Sequence, residues 1–274
     1  MRIGKKGLTV RGPMVMGILN VTPDSFSDGG SHYPDGAVEH ALRMIEDGAD
    51  IIDIGGESTR PGSDPVPSSV EIERIVPVIE KLSSMTDVPI SVDTMKADVA
   101  EAALKAGADI VNDVNGLRSE GMLDVVSSFG APVIIMHMHG MPKTMQASPM
   151  EGHVTETIAS FLKERCETAH DHGIRDMILD PGVGFGKTTE QNVEIVDNSG
   201  RFSFGHPVLI GASRKRFLSD IYPGIERDEA TVSISIRALD AGADIVRVHN
   251  VRAMVDALSQ HPQYGPRRKD RNQR

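Results

Sequence analysis

The sequence holds a single cysteine, Cys166, so no internal disulfide is possible and a reducing compartment is the natural one. It falls in a helical pattern with Ile158, Phe161, Leu162 and Arg165 and reads as a small buried hydrophobe. No apolar run approaches the roughly 18 residues of a membrane span. Lys5 and Lys6 are followed by Arg11 rather than by an apolar stretch, so no export signal is expected. Positive charge is scarce: a formal net charge of −10 repels nucleic acid and anionic lipid, and no basic stripe offsets it. The expectation is a cytoplasmic protein without nucleic acid or membrane partners. Nucleotide and nucleophile signatures fail too. Gly182-Val-Gly-Phe-Gly-Lys187-Thr188 would need glycine at 181 for a phosphate loop, where Pro181 stands, and its Lys187 spoils the dinucleotide spacing. Gly211-Ala-Ser-Arg-Lys215 lacks the second glycine of a nucleophile elbow.

What the chain does have is length and repetition. Its 274 residues, 39% hydrophobic, suffice for one large core and approach the roughly 250 residues of an α/β barrel. One domain is expected over residues 1–262, followed by a basic tail over 263–274, where the stretch from Arg267 carries five positive charges against one negative and reads as disordered. Three near-identical strings begin at Gly48, Gly107 and Gly242, each reading Gly-Ala-Asp-Ile, and lie 59 and 135 residues apart. Those separations are close to two and four βα units of roughly 30 to 34 residues, which implies eight units. Strands are expected at 14–21, 51–55, 89–93, 110–114, 132–137, 177–180, 207–211 and 245–249, each a nearly continuous apolar run suited to burial on both faces. A doubly wound open sheet has the same periodicity. Chemistry at almost every strand end favours the closed (β/α)8 TIM barrel, an α/β fold whose loops converge on one face.

Those ends carry Asn20; Glu57, Ser58, Thr59 and Arg60; Asp93; Asn112; His137; Asp180; Ser213, Arg214 and Lys215; and Arg247 and His249. Any one could be an ordinary helix cap, or the set could be an ion-pair network closing the barrel top, but eight strand ends alike suggest a site. Asp93, Asn112 and Asp180 suit a flat heterocycle with adjacent N–H donors, such as an amino-pyrimidinone edge. Lys215 and Arg247 would offset the carboxylates, and Arg247 could stack on a ring. The run Gly55-Gly-Glu-Ser-Thr-Arg-Pro-Gly62 is equipped to wrap phosphate oxygens. His137 and His139 alternate as zinc ligands might, yet lack a third partner and read as packing residues. A metal here would be Mg²⁺ shared with substrate phosphates, with Asn20 as the oxygen donor.

Two segments, Gly17-Ile-Leu-Asn-Val-Thr-Pro-Asp-Ser-Phe-Ser-Asp-Gly-Gly30 and Asp53-Ile-Gly-Gly-Glu-Ser-Thr-Arg-Pro-Gly62, closely resemble the signatures of the dihydropteroate synthase family. Further matches run through Val92-Asp-Thr94, Asn112-Asp-Val114, Met136-His-Met138, Pro142-Lys-Thr-Met-Gln146, Leu179-Asp-Pro-Gly-Val-Gly-Phe-Gly-Lys187, Ser213-Arg-Lys215 and Arg247-Val-His249. The resemblance implies a (β/α)8 barrel and a transferase of folate synthesis, in which 4-aminobenzoate displaces pyrophosphate from a dihydropterin-methyl diphosphate. It implies Asn20 as the Mg²⁺ ligand, and Thr59, Arg60, Arg247 and His249 as diphosphate contacts. Asp93, Asn112, Asp180 and Lys215 would be the pterin's polar partners, with Val114, Met136, Phe185 and Gly211 as its apolar walls. Pro61, Phe185 and Lys215 would border the aminobenzoate. A homodimer is expected, and the loops after the first two strands would close over the site. Arg216 and Asn250 stand where many members carry Ser and Asp. Two other readings share the acidic pocket: a folate-holding barrel of the methyltransferase type, and a synthase homologue without activity.

Overall fold

In the computed structural model, which describes residues 2–3, 7–10, 12–22, 34–58, 64–140 and 149–265, the three Gly-Ala-Asp-Ile strings do one mechanical job. Gly48, Gly107 and Gly242 follow their helices with φ of 97°, 111° and 103°, a left-handed conformation that a β-carbon disfavours. The next N–H reaches back five residues, from Ala49 to Met44, Ala108 to Ala103 and Ala243 to Ala238, closing the last helical turn. The aspartate then grips a neighbouring strand. Oδ2 of Asp50 accepts from Val15 N at 2.8 Å, that of Asp109 from Ile90 N at 2.9 Å and that of Asp244 from Val208 N at 2.9 Å. Each string therefore stops a helix, turns the chain and fixes how two strands meet.

A short antiparallel hairpin, β1 (Arg2–Ile3) and β2 (Leu8–Thr9), precedes eight parallel strands. These are β3 (Met14–Asn20), β4 (Ile51–Gly55), β5 (Ile90–Asp93), β6 (Ile110–Asp113), β7 (Val133–Met136), β8 (Met177–Asp180), β9 (Leu209–Ile210) and β10 (Ile245–Val248). Neighbours in sequence pair from β3 to β8, β10 lies between β9 and β3, and a bridge from Leu179 to Val208 joins β8 to β9. The sheet thus closes on itself, and the open doubly wound alternative is excluded. Pro89, Pro132 and Pro207, expected inside strands, stand just before them. Lacking an N–H, they serve as acceptors, taking bonds from Ile52 N at 3.0 Å, Val111 N at 3.1 Å and Leu179 N at 2.9 Å.

The helices are α1 (Asp35–Glu46), α2 (Ser68–Met85), α3 (Ala97–Ala106), α4 (Met122–Phe129), α5 (Val154–Asp171), α6 (Thr189–Asp197), α7 (Phe217–Ile221), α8 (Arg227–Asp240) and α9 (Val251–Gln260). Their apolar stripes meet the outer faces of the strands in one large core. Cys166 lies buried in α5, where loss of water pushes its thiol up to about 11. Among the described residues, no helix is long and apolar enough to cross a membrane. The packed chain runs past the boundary expected at 262. Tyr264 is 3% exposed, donates to Asp240 at 2.8 Å and stacks on His261, an aromatic anchor that the polar character of this end conceals. Residues 266–274, the rest of the expected tail, lie outside the described residues.

Candidate functional site

Side chains alternate between the two faces of a strand, so the inward residues of this barrel follow from its floor. Met14, Met16, Ile51, Ile110, Ile134, Ile178, Leu209 and Ile245 form one apolar cluster, with Val10 against it. Two residues along, on the same inward rows, stand Asp53, Asn112, Met136, Asp180, Gly211 and Arg247. Asp93 is reached the same way from Ser91 on β5. On β4, β6, β8 and β10 an apolar plug is thus followed by a polar side chain, whereas on β5 the position below Asp93 is Ser91.

Arg247 is the hub of the upper layer. Its Nε donates to Asp53 Oδ2 and one terminal nitrogen to Asp93 Oδ2, both at 2.6 Å, while Asn112 Nδ2 also donates to Asp53 Oδ2 at 3.0 Å. The second oxygen of each aspartate and the Ser91 hydroxyl are buried with no hydrogen-bond partner among the described residues. Such atoms are costly unless a partner arrives. Burial pushes the Asp93 carboxyl up to about 7 against the pull of Arg247, with Asp53 adding repulsion. Burial also raises Asp180, opposed mainly by Lys215 and by the Gly182 N–H that bonds Asp180 Oδ1 at 2.7 Å. Lys215 is held down to about 8 by burial, against the attraction of Asp180, with Arg247 and Asp93 also acting on it. Asp93, Asp180, Lys215 and Arg247 thus share one electrostatic neighbourhood, in which three aspartates face two cations.

The wall beside them is apolar. Val114, Met136, Met138 and Phe185 form a separate cluster, with Met95 packed against it. Lys215 donates to the Val183 carbonyl and holds its ammonium 4.4 Å from the centre of the Phe185 ring, a cation–π contact. Gly211 runs alongside Arg247, where an added β-carbon would lie 3.7 Å from the arginine's own.

Other predicted positions diverge. His249 Nδ1 lies 2.9 Å from Ser213 Oγ, which also accepts from His249 N at 3.2 Å. The Ser213 hydroxyl thus holds both the backbone and the ring of His249, fixing where the imidazole stands. Arg214 turns away to a two-pronged pair with Asp228 at 2.7 and 2.9 Å. Glu57 is bound by Lys96, which also bonds Glu71 at 2.8 Å and the Val66 carbonyl at 2.7 Å. His137 packs edge-on to Phe161, and its Nδ1 meets Lys187 Nζ at 3.2 Å; burial holds that imidazole down to about 3. Asn20 ends β3, half-buried beside Gly55. Asn250 caps α9 through Ala253 N at 3.0 Å and donates to Asp228, while Arg216 is exposed at the start of α7. Thr59, Arg60 and Pro61 lie outside the described residues, as do 23–33 and 141–148.

Two residues went unassigned in the sequence. Asp53 stands mid-strand rather than at a strand end, yet it follows the floor residue Ile51 by two, and counting inward positions would have found it. Lys187 gave no signal of its own beyond its place in the glycine-rich run.

Comparison with known proteins adds three findings. The pterin binding enzyme family matches residues 16–249. A dihydropteroate synthase of Synechocystis is 45% identical over 249 residues, covering 88% of this chain and 86% of the relative. Among solved structures, the Xanthomonas albilineans dihydropteroate synthase with 4-aminobenzoic acid superposes with a TM-score of 0.87 at 44% identity, over 94% of this chain and 96% of that one. The Burkholderia cenocepacia enzyme complexed with 7,8-dihydropteroate also gives 0.87, at 40% identity over 100% and 98% of the two chains.

Proposed function

The chain belongs to the dihydropteroate synthases, transferases of the pterin-binding enzyme family, and from that premise we propose which residues carry the reaction. The observation that supports the assignment best is Arg247 bridging two buried aspartates that each keep an oxygen without a partner among the described residues. Asp93, Asn112 and Asp180 accept and donate along the pyrimidinone edge of the pterin, and Val114, Met136, Gly211 and Phe185 wall its faces. Asp53 is the positioning residue, holding both Arg247 and Asn112. By analogy with the Xanthomonas and Burkholderia enzymes, the second substrate is 4-aminobenzoate, bordered by Phe185, Lys215 and Pro61.

The chemistry is a dissociative substitution. The bond from the exocyclic carbon to the diphosphate oxygen breaks first, its electron pair leaving with diphosphate. The cation left on carbon is shared with the pterin ring and favoured by Asp93 and Asp180, which act by charge alone. The neutral aromatic amine, held alongside, then forms the C–N bond and loses a proton; proximity supplies the rest of the acceleration. Arg247, through its other terminal nitrogen, and His249, through its imidazole, bind the departing diphosphate with Thr59 and Arg60. For Mg²⁺, the amide oxygen of Asn20 is a fitting hard donor. The described residues contain no group of three His, Cys, Asp or Glu to cage a metal, which suits an ion taking most of its ligands from phosphate oxygens. When bound, it neutralises charge on the leaving group.

Mixing the pterin diphosphate with 4-aminobenzoate and Mg²⁺ should release pyrophosphate; none released would remove the activity from this chain. Asn20→Ala and Arg60→Ala should each lower turnover by about 10²-fold or more. Near-normal turnover of both at saturating Mg²⁺ overturns the diphosphate assignment. A homodimer in the cytoplasm completes the proposal. A purely monomeric species in sedimentation would refute the dimer.

A further inference from the structure

We infer that Lys187 is a positioning residue for the pterin pocket, buckling the loop after β8 to the end of β7 so that both halves of the apolar wall are held in register. This rests on the assignment of that wall to the pterin and aminobenzoate. Lys187 is 3% exposed, and its ammonium spans two segments. It donates to the carbonyls of Gly182 at 2.8 Å and Phe185 at 2.9 Å within its own loop, and meets His137 Nδ1 at 3.2 Å across the gap to β7. Burial pulls Lys187 down to about 7, and in its ammonium form these three contacts give every proton a partner, with His137 Nδ1 accepting.

None of those acceptors is a carboxylate. Burying an ammonium without an opposite charge bonded to it is expensive, and a methionine of similar length would fill the same space without that cost. A methionine would, however, leave the Gly182 and Phe185 carbonyls without this donor. What the lysine fixes is the conformation of a loop that touches the site at both ends. Gly182 N bonds Asp180, the Val183 carbonyl accepts from Lys215, and the Phe185 ring lies under the Lys215 ammonium. On the other side, His137 sits between Met136 and Met138, which join Phe185 in the apolar cluster. The approach between segments is close: a β-carbon on Gly182, at φ 71°, would collide with the His137 carbonyl. Lys187 bonds groups of the protein itself and acts through Phe185 and the β7 end.

The test is a double-mutant cycle over Lys187→Met and Phe185→Ala, read first as the dissociation constant for 7,8-dihydropteroate by calorimetry and then as kcat/KM. If Lys187 works by placing Phe185, K187M weakens binding by about tenfold or more, and the double variant falls no more than about threefold below the weaker single variant. Thermal melting without ligand should then show K187M folded. Additive losses, or K187M binding like the wild type, would overturn the inference. Should K187M not fold, Lys187→Gln, which keeps an amide donor, enters the same cycle; failure of both to fold would assign the lysine to the fold and end the proposal. Wild-type protein that binds dihydropteroate yet releases no pyrophosphate would count against the reaction assigned above, leaving the cycle to judge Lys187 separately.

Discussion

The floor and the mouth of the barrel occupy the same inward rows two residues apart, and they are built on opposite terms. Ile51, Ile110, Ile178, Leu209 and Ile245 fill the floor with apolar volume, Ser91 on β5 being its polar exception. Asp53, Asn112, Asp180 and Arg247 fill the mouth with charge and amide, and two carboxylates there, Asp53 and Asp93, keep an oxygen without a partner among the described residues. The floor draws its stability from burial. The mouth is tolerated because each buried charge has a neighbour, and because groups left unsatisfied by the protein can be satisfied by a ligand. The pleat allows both by spacing them two residues apart.

The largest effect should come from breaking the hub. Arg247→Met leaves Asp53 and Asp93 buried without their shared cation, a type of change that costs about 3–5 kcal/mol; urea unfolding should show that loss and the assay no turnover. Unchanged unfolding would mean the mouth is not held by charge pairing. On the floor, Ile178→Ala should cost about 3 kcal/mol through the cavity it leaves, with turnover per folded molecule largely kept. If it removes activity as Arg247→Met does, the two layers are not separable. Smaller again is Lys96→Met at the rim. Glu71 is 1% exposed and would lose its cation, but the lysine is 21% exposed, so about 2 kcal/mol is expected after allowing for solvent. Its readout is unfolding in low and high salt, where a loss that vanishes at high salt would class the contact as superficial.

The contrast between the layers also explains what could be read from residues alone. Gly-Ala-Asp-Ile carries helix stop, turn and strand start in four letters, so its spacing announced eight βα units, and the polar strand ends favoured the closed barrel over an open sheet. Asp93, Asn112, Asp180, Lys215 and Arg247 were visible because polar residues at strand ends are conspicuous after apolar runs. Proximity to a strand end does not fix direction, however. Glu57 and Arg214 share that position in the chain and bond Lys96 and Asp228 instead. Asp53 was overlooked because it lies inside its strand, and Lys187 because a buried ammonium bonded to carbonyls leaves no partner to recognise in sequence. Side-chain direction within an irregular loop is set by three-dimensional contacts, which no periodicity records.

The last effect depends on pH and concerns protonation of the mouth. Burial holds Asp93 at about 7, above its ordinary 3.8, so the folded state keeps this proton where the unfolded chain releases it. Stability from this group is therefore full below pH 4 and declines as pH rises towards 7, after which it levels. One proton accounts for at most about 1.4 kcal/mol per pH unit. Lys215 runs the other way: with its ammonium lowered to about 8 from 10.5, its share is lost as pH falls from about 10.5 to 8. Because Asp53 and Asp93 share Arg247, the titration belongs to the cluster, and Asp93→Asn is the variant that isolates it. Urea midpoints of wild type and variant, compared from pH 4.5 to 7.5 without ligand, should show the wild type losing ground to the variant as pH rises. A gap that stays constant or widens in favour of the wild type would mean that Arg247 already keeps Asp93 ionised, and that the mouth is satisfied before any ligand binds.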